Sequence, residues 1–351
     1  MSNTTLAAEP TTVDIHSVVK DILNTIDRER EREIISRRFG LYDRKETLEQ
    51  IGELLGITRE RVRQLEKAVL NKLKSAGHDL PHLKEIEQRL IEELQAAGHT
   101  LRIDHLTERI MKSSDNLDKS HVAFLSAISP QLDIIDENDT YHHAVTLNDS
   151  HVAKIVKEHV NELVTTIKTH GKPEQIGTFH TKSTGHRDEA HTEALAWVSK
   201  KLATLGDDWG LKKWPTVNPK NIRDKIYVIL RDNKNPMHFR EISNEIKASD
   251  FKRKDVTTQA IHNELIKDKR FVLIGRGIYA LNEWGYKRGT VTDVIEEILS
   301  KSDEPLHRDE IIKRVLERRQ VKETTIMLNL QGKKQFKRVA KATYVLDKTA
   351  E

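Results

Sequence analysis

Arg59, Glu60, Arg63 and Gln64 lie close together at spacings that share one face of a helix. These are side chains that read base edges. Arg pairs bidentately with guanine, Glu accepts from the cytosine amino group, and Gln pairs with adenine. Thr58 precedes them as a helix cap, and Arg61 and Lys67 stand beside them for phosphate oxygens. A solvated surface helix carries the same charges, so spacing alone leaves both uses open. Catalysis has no comparable foothold. The chain has no cysteine, no P-loop, no G-x-S-x-G and no H-E-x-x-H. Disulfides and thiolate metal sites are thereby excluded. The expectation is a protein that is not an enzyme and has no cofactor, metal or small-molecule substrate. His170, His180, His186 and His191 do not change this: His186 and His191 miss the i, i+4 spacing of a helical zinc pair, and Gly and Thr neighbours predict a polar loop.

Elements that position the Arg59 face are legible nearby. Thr47-Leu48-Glu49-Gln50 has the T-x-x-Q spacing of a capping box. Leu48, Ile51 and Leu55 form one apolar stripe, Gly56 supplies a tight turn, and Thr58 caps a second helix. That helix buries Val62, Leu65, Val69 and Leu73 at steps of three and four. Two such helices predict a helix-turn-helix, whose second helix enters the major groove.

The stretch Arg28 to Leu73, including IISRRFGLYDRKETLEQIGELLGITRERVRQLEKAVLNKL, resembles region 4 of a primary bacterial sigma factor. The resemblance implies that Arg59, Glu60, Arg63 and Gln64 read a promoter −35 element. Thr58, Arg61 and Lys67 would then meet the backbone. It also implies that Ile34, Ile35, Arg37, Arg38 and Phe39 dock on the β flap of RNA polymerase. Holding a melted −10 element takes aromatic stacking, and the 27 residues before this block contain no Trp, Tyr or Phe. The expectation is a −35-type reader that does not open promoters by itself.

A repeat marks the C-terminal half. Residues 222–242, IRDKIYVILRDNKNPMHFREI, align with residues 291–311, VTDVIEEILSKSDEPLHRDEI, pairing Pro236 with Pro305, His238 with His307 and Ile242 with Ile311. Each copy reads as helix, Pro-bounded turn, two helices and two strands ending in Tyr-x-Leu; Gly275-Arg-Gly277 marks a hairpin. The first copy, about residues 222–286, resembles the HARE-HTH domain of the bacterial RNA polymerase δ subunit and of some chromatin and restriction proteins. Candidate backbone contacts are Lys252, Arg253, Lys254 and Arg276 in the first copy, and Arg318, Arg319, Lys333, Lys334, Lys337 and Arg338 in the second.

The predicted fold is therefore mainly α with small β-hairpin wings, as tandem helix-turn-helix and winged-helix domains. A disordered lead-in covers 1–13 and the sigma-like domain 14–79. A possible winged helix spans 80–149 and a helical, degenerate one 150–218; the two repeats cover 219–288 and 289–348. In the middle, helices are expected over 84–96, 103–112, 119–128, 150–169 and around 188–204, with a strand, turn and strand over 132–141. Charge is uneven. Residues 1–79 carry 14 Lys and Arg against 14 Asp and Glu, residues 80–210 carry 14 against 21, and residues 211–351 carry 31 against 20. An acidic middle and a basic tail imply separate partners. With 32% charged residues, a mean hydropathy of −0.62 and no long apolar run, a membrane partner is not expected. The expected partners are double-stranded DNA and the RNA polymerase core, in the cytoplasm and associated with the nucleoid. An RNA polymerase accessory subunit without DNA specificity, or a DNA-recognition component of a restriction or defence system, are alternatives.

Overall fold

A computed structural model describes residues 14–148, 153–251, 253–286, 289–302 and 304–347. The expected lead-in 1–13 and Lys252 lie outside the described residues. The chain is mostly helical with small antiparallel sheets, and it divides into two compact units at Lys213 and Trp214. No helix among the described residues is long and apolar enough to cross a membrane.

The first unit opens with α1 (Ile15–Asn24), α2 (Glu29–Phe39), α3 (Leu48–Leu55) and α4 (Arg59–Ala76). Asp14 caps α1, and α1 buries Ile15, Val18, Val19, Ile22 and Leu23 as one stripe. Next come α5 (Leu83–Ala96), β1 (Thr100–Arg102), α6 (Ile103–Met111), α7 (Asn116–Ile128), β2 (Leu132–Ile135) and β3 (Ala144–Leu147), whose sheet runs β1-β3-β2. One continuous core joins these elements other than α3, from Ile15 on α1 to Leu147 on β3, with Phe124 of α7 fully buried within it. The unit closes with α8 (Ala153–His170), β4 (Glu174–Gln175), α9 (Ile176–His180), α10 (Glu189–Val198), β5 (Leu202–Leu205) and β6 (Asp208–Leu211), in sheet order β4-β6-β5.

Two expectations for this middle region shift. The second strand lies at 144–147 and not within 132–141, because the Asn138 carboxamide oxygen accepts from the amides of Thr140 (2.7 Å) and Tyr141 (3.0 Å). That turn uses up the residues in between. The helix expected around 188–204 stops at Val198, and the chain turns through Ser199 into β5.

The second unit contains α11 (Ile222–Asn233), β7 (Met237–His238), α12 (Phe239–Ala248), α13 (Thr258–Lys267), β8 (Phe271–Gly275) and β9 (Ile278–Leu281), in sheet order β7-β9-β8. Then follow α14 (Val291–Ser300), β10 (Leu306–His307), α15 (Arg308–Leu316), α16 (Glu323–Gly332), β11 (Phe336–Ala340) and β12 (Thr343–Leu346), in order β10-β12-β11. Among the described residues, helix, strand, helix, helix, strand, strand thus occurs four times from Leu83 onward, each time with the last strand in the middle of its sheet. Gly277, at φ 73°, turns the β8–β9 hairpin, with a register shift between Leu273 and Gly275.

Candidate nucleic-acid interface

Both halves of the capping box at α3 form: the Gln50 amide donates to Thr47 Oγ1 (3.2 Å), and the Thr47 amide donates to Gln50 Oε1 (2.8 Å). Gly56 ends the helix in the left-handed region (φ 62°, ψ 40°). The chain then folds back so that the Ile57 amide donates to the Gly52 carbonyl (2.9 Å). That approach is possible because Gly52 has no Cβ; one there would sit 2.7 Å from the Ile57 carbonyl oxygen. Thr58 Oγ1 accepts from the Arg61 amide (3.2 Å) and starts α4. Ile34, Ile51 and Val62 form a small core that binds α2, α3 and α4 together. Farther along α4, Val69 and Leu73 sink into the large core. Its first half is left projecting, with Arg59, Glu60, Arg61, Arg63, Gln64 and Lys67 standing off the packed face.

Those side chains are organised by ion pairs. Arg63 donates to Glu60 through Nε (2.8 Å) and a terminal nitrogen (2.6 Å), and Gln64 reaches the same carboxylate (3.3 Å). The Arg63 guanidinium holds the Glu60 carboxyl down to about 2, so Glu60 is charged at neutral pH. Arg59 pairs across the turn with Glu49 of α3 at 2.9 Å. Sequence reasoning missed Glu49, whose partner lies ten positions away. Exposed pairs of this kind are worth at most about 1 kcal/mol, so a guanine edge or a phosphate can compete for either arginine. Arg61 approaches Gln64 (3.4 Å).

Two side chains of the α2 set are interior. Ile34 and Ile35 are fully buried, the first in the small core and the second in the large one, and have no surface to offer. Phe39 is half-buried and packs edge-on against Phe124 of α7, ring centres 5.4 Å apart. Arg37 pairs with Glu33 (2.9 Å) and Glu46 (2.8 Å), and Arg38 pairs with Glu66 (3.3 Å) and donates to the Glu46 carbonyl (3.0 Å). Most of this helix therefore holds the first unit together.

In the second unit Arg253, Lys254 and Arg276 are exposed, as are Lys333, Lys334, Lys337 and Arg338 around β11. Arg318 is half-buried near Glu297 (3.7 Å). Arg319 is 5% exposed, and its guanidinium donates to the carbonyls of Leu273 and Gly289, while the Gln320 amide donates to the Ile274 carbonyl (3.0 Å). Arg319 is thus a strut between α15 and the preceding hairpin, its guanidinium turned to backbone carbonyls. The α16 segment, ETTIMLNLQG, contains no Lys or Arg and leaves Leu328 69% exposed.

The histidines are likewise not one loop. His170 ends α8, His180 ends α9, and His191 is fully buried on α10; only His186 lies between elements. Thr192 Oγ1 joins His180 Nδ1 (2.9 Å) and His186 Nδ1 (3.1 Å).

Compared with known families, residues 28–75 match Sigma-70, region 4. RNA polymerase sigma factor SigA of a Bacillus species is 47% identical over 57 residues, which is 16% of this chain and 15% of that protein. RNA polymerase sigma factor RpoD of two Helicobacter pylori strains is 44% identical over 64 residues, 18% of this chain and 9% of each relative. The chain thus spans only a small part of the length of these relatives.

Proposed function

Because residues 28–75 are a sigma-70 region 4 domain, we propose that this chain is a DNA-binding transcription regulator that contacts RNA polymerase. Its α4 reads a −35-type element, and no −10-melting role is assigned. The carrying observation is the projecting first half of α4, where Arg59, Glu60, Arg63 and Gln64 share a face on a helix capped by Thr58. A recognition helix presents its N-terminal residues to the major groove in this way. The four helix–strand–helix–helix–strand–strand modules are read as winged helices, the third of them of the HARE-HTH type, with β-hairpins as wings. Arg253, Lys254, Arg276, Lys333, Lys334, Lys337 and Arg338 would neutralise phosphates there. Polymerase docking through α2 would rest on exposed Arg30 and half-buried Arg37, since Ile34 and Ile35 are interior.

Arg59→Ala should weaken binding to a matched duplex by about 1–3 kcal/mol, or roughly fivefold to 150-fold, and relax specificity at one base pair. Fluorescence anisotropy on matched and scrambled duplexes reads this out; equal losses on both would sink the assignment. Replacing Lys333, Lys334 and Lys337 together by alanine should weaken binding to every sequence and flatten the dependence of log K on log salt by about 0.9 for each phosphate no longer neutralised. A slope unchanged within error returns this cluster to a solvated surface.

A second reading, an RNA polymerase accessory subunit without DNA specificity, is favoured by the absence of Lys and Arg from α16 and by its exposed Leu328. Affinity purification of the full chain with and without nuclease separates the two. Polymerase surviving nuclease, with no preferred sequence among bound duplexes, supports the accessory reading.

A further inference from the structure

One polar cluster in the first unit takes no part in the α4 face. His16 on α1 and Asp118 and His121 on α7 each offer one ligand atom, and these atoms lie within 4.8 Å of one another. His16 Nε2 is 3.1 Å from Asp118 Oδ1, and the two imidazoles pack edge-on with ring centres 4.7 Å apart. His121 is 4% exposed. Its Nε2 is 2.9 Å from the Leu41 carbonyl oxygen, which can only accept, so Nε2 carries the proton. Nδ1 is then left as a bare lone pair, and it is buried with no hydrogen-bond partner. A buried acceptor without a donor costs free energy unless something fills the position.

The geometry points to a transition-metal site of the zinc class held by His16, Asp118 and His121. An imidazole whose far nitrogen is fixed by a backbone carbonyl is the usual arrangement for a metal-ligating histidine, since the carbonyl sets both tautomer and ring orientation. Two imidazoles and one carboxylate suit Zn²⁺, which leaves the fourth tetrahedral position to water. Ligand distances of about 2.0–2.2 Å require each side chain to close in by less than about 1 Å, and His16 is free to do so at the surface. Bound there, the ion clips α1 to α7 beside Leu41, just after the Gly40 turn that ends α2. It therefore braces the scaffold behind the helix-turn-helix. This site does not depend on the DNA-binding reading.

The test is metal content and thermal stability of the untagged full chain, dialysed against Zn²⁺ and then against buffer. Wild-type protein should hold one more zinc ion per chain than either His16→Ala or Asp118→Asn. Its unfolding temperature in excess Zn²⁺ should exceed that in chelator by about 5 °C or more. In chelator His16→Ala should melt close to the wild type, since His16 is exposed, and Asp118→Asn, which keeps the shape of the buried side chain, should lose no more than the pair with His16 contributes, about 1 kcal/mol; both should lose the zinc-dependent rise. Co²⁺ in place of Zn²⁺ should give visible absorption bands in the wild type that disappear in His16→Ala. No bound zinc in the wild type overturns the site. So does a zinc count, cobalt spectrum and melting shift that the variants share with it, as binding confined to the histidines of α8–α10 would produce.

Discussion

Ile34→Ala should destabilise the first unit by about 2–5 kcal/mol, the cost of a large-to-small change in a packed interior. The Ile34 side chain fills the small core shared with Ile51 and Val62, and those residues sit on three different helices. Removing three carbons there leaves a cavity at the apolar junction linking α2 to α3 and to the first half of α4. Calorimetry of the full chain would read the loss in the transition of the first unit, and hydrogen exchange would place it in α2–α4. DNA binding should fall with stability and recover on cooling. Were Ile34 instead a contact for polymerase, its removal would leave the melting curve within about 0.5 kcal/mol of the wild type and abolish polymerase capture alone. That outcome would refute the burial argument.

Gly98→Ala is expected to be comparably severe, at about 2–4 kcal/mol. Gly98 lies between α5 and β1 at φ 86°, a conformation L side chains rarely adopt. A Cβ there would meet the Ala190 carbonyl oxygen at 2.5 Å and His191 Cα at 2.7 Å. These obstacles are backbone atoms of α10, so rotating a side chain gives no relief. The same substitution at Gly171, where the space is open, controls for the left-handed backbone alone. Only the difference between the two reports on the packing of α10 against β1. Equal, small shifts in the unfolding temperature would mean that α10 moves aside easily.

Much of the helix-turn-helix was legible in the sequence because its determinants are consecutive. Thr47 with Gln50, Gly56 and Thr58 act over three or four residues, and the stripe Val62, Leu65, Val69, Leu73 on α4 follows helical spacing. What the sequence hid was distance. Ile34, Ile35 and Phe39 look like a presented face until α3 and α4 close over Ile34 and the large core with α7 takes up Ile35 and Phe39, and the contact between His121 and the Leu41 carbonyl spans 80 positions. Arg319 reads as one of a basic pair, and only the approach of Leu273 and Gly289 shows which of the two points inward. Strand boundaries in residues 80–213 were hard for a different reason. Strands there are two to four residues long, too short for an alternating pattern to declare itself.

The long core has a mechanical meaning. A helix of 18 residues is about 27 Å long, and roughly the second half of α4 is clamped between α2 and α7. The first half overhangs like a beam fixed at one end, braced near its root by α2 and α3 through Ile34, Ile51 and Val62. Such a beam resists bending at its root. On the proposed −35-reading role, a duplex whose groove is too narrow or wrongly pitched would have to do the yielding, at an elastic cost that depends on its own base steps. Stiffness in the scaffold would then act as a second filter on sequence, at base pairs that no side chain of α4 touches.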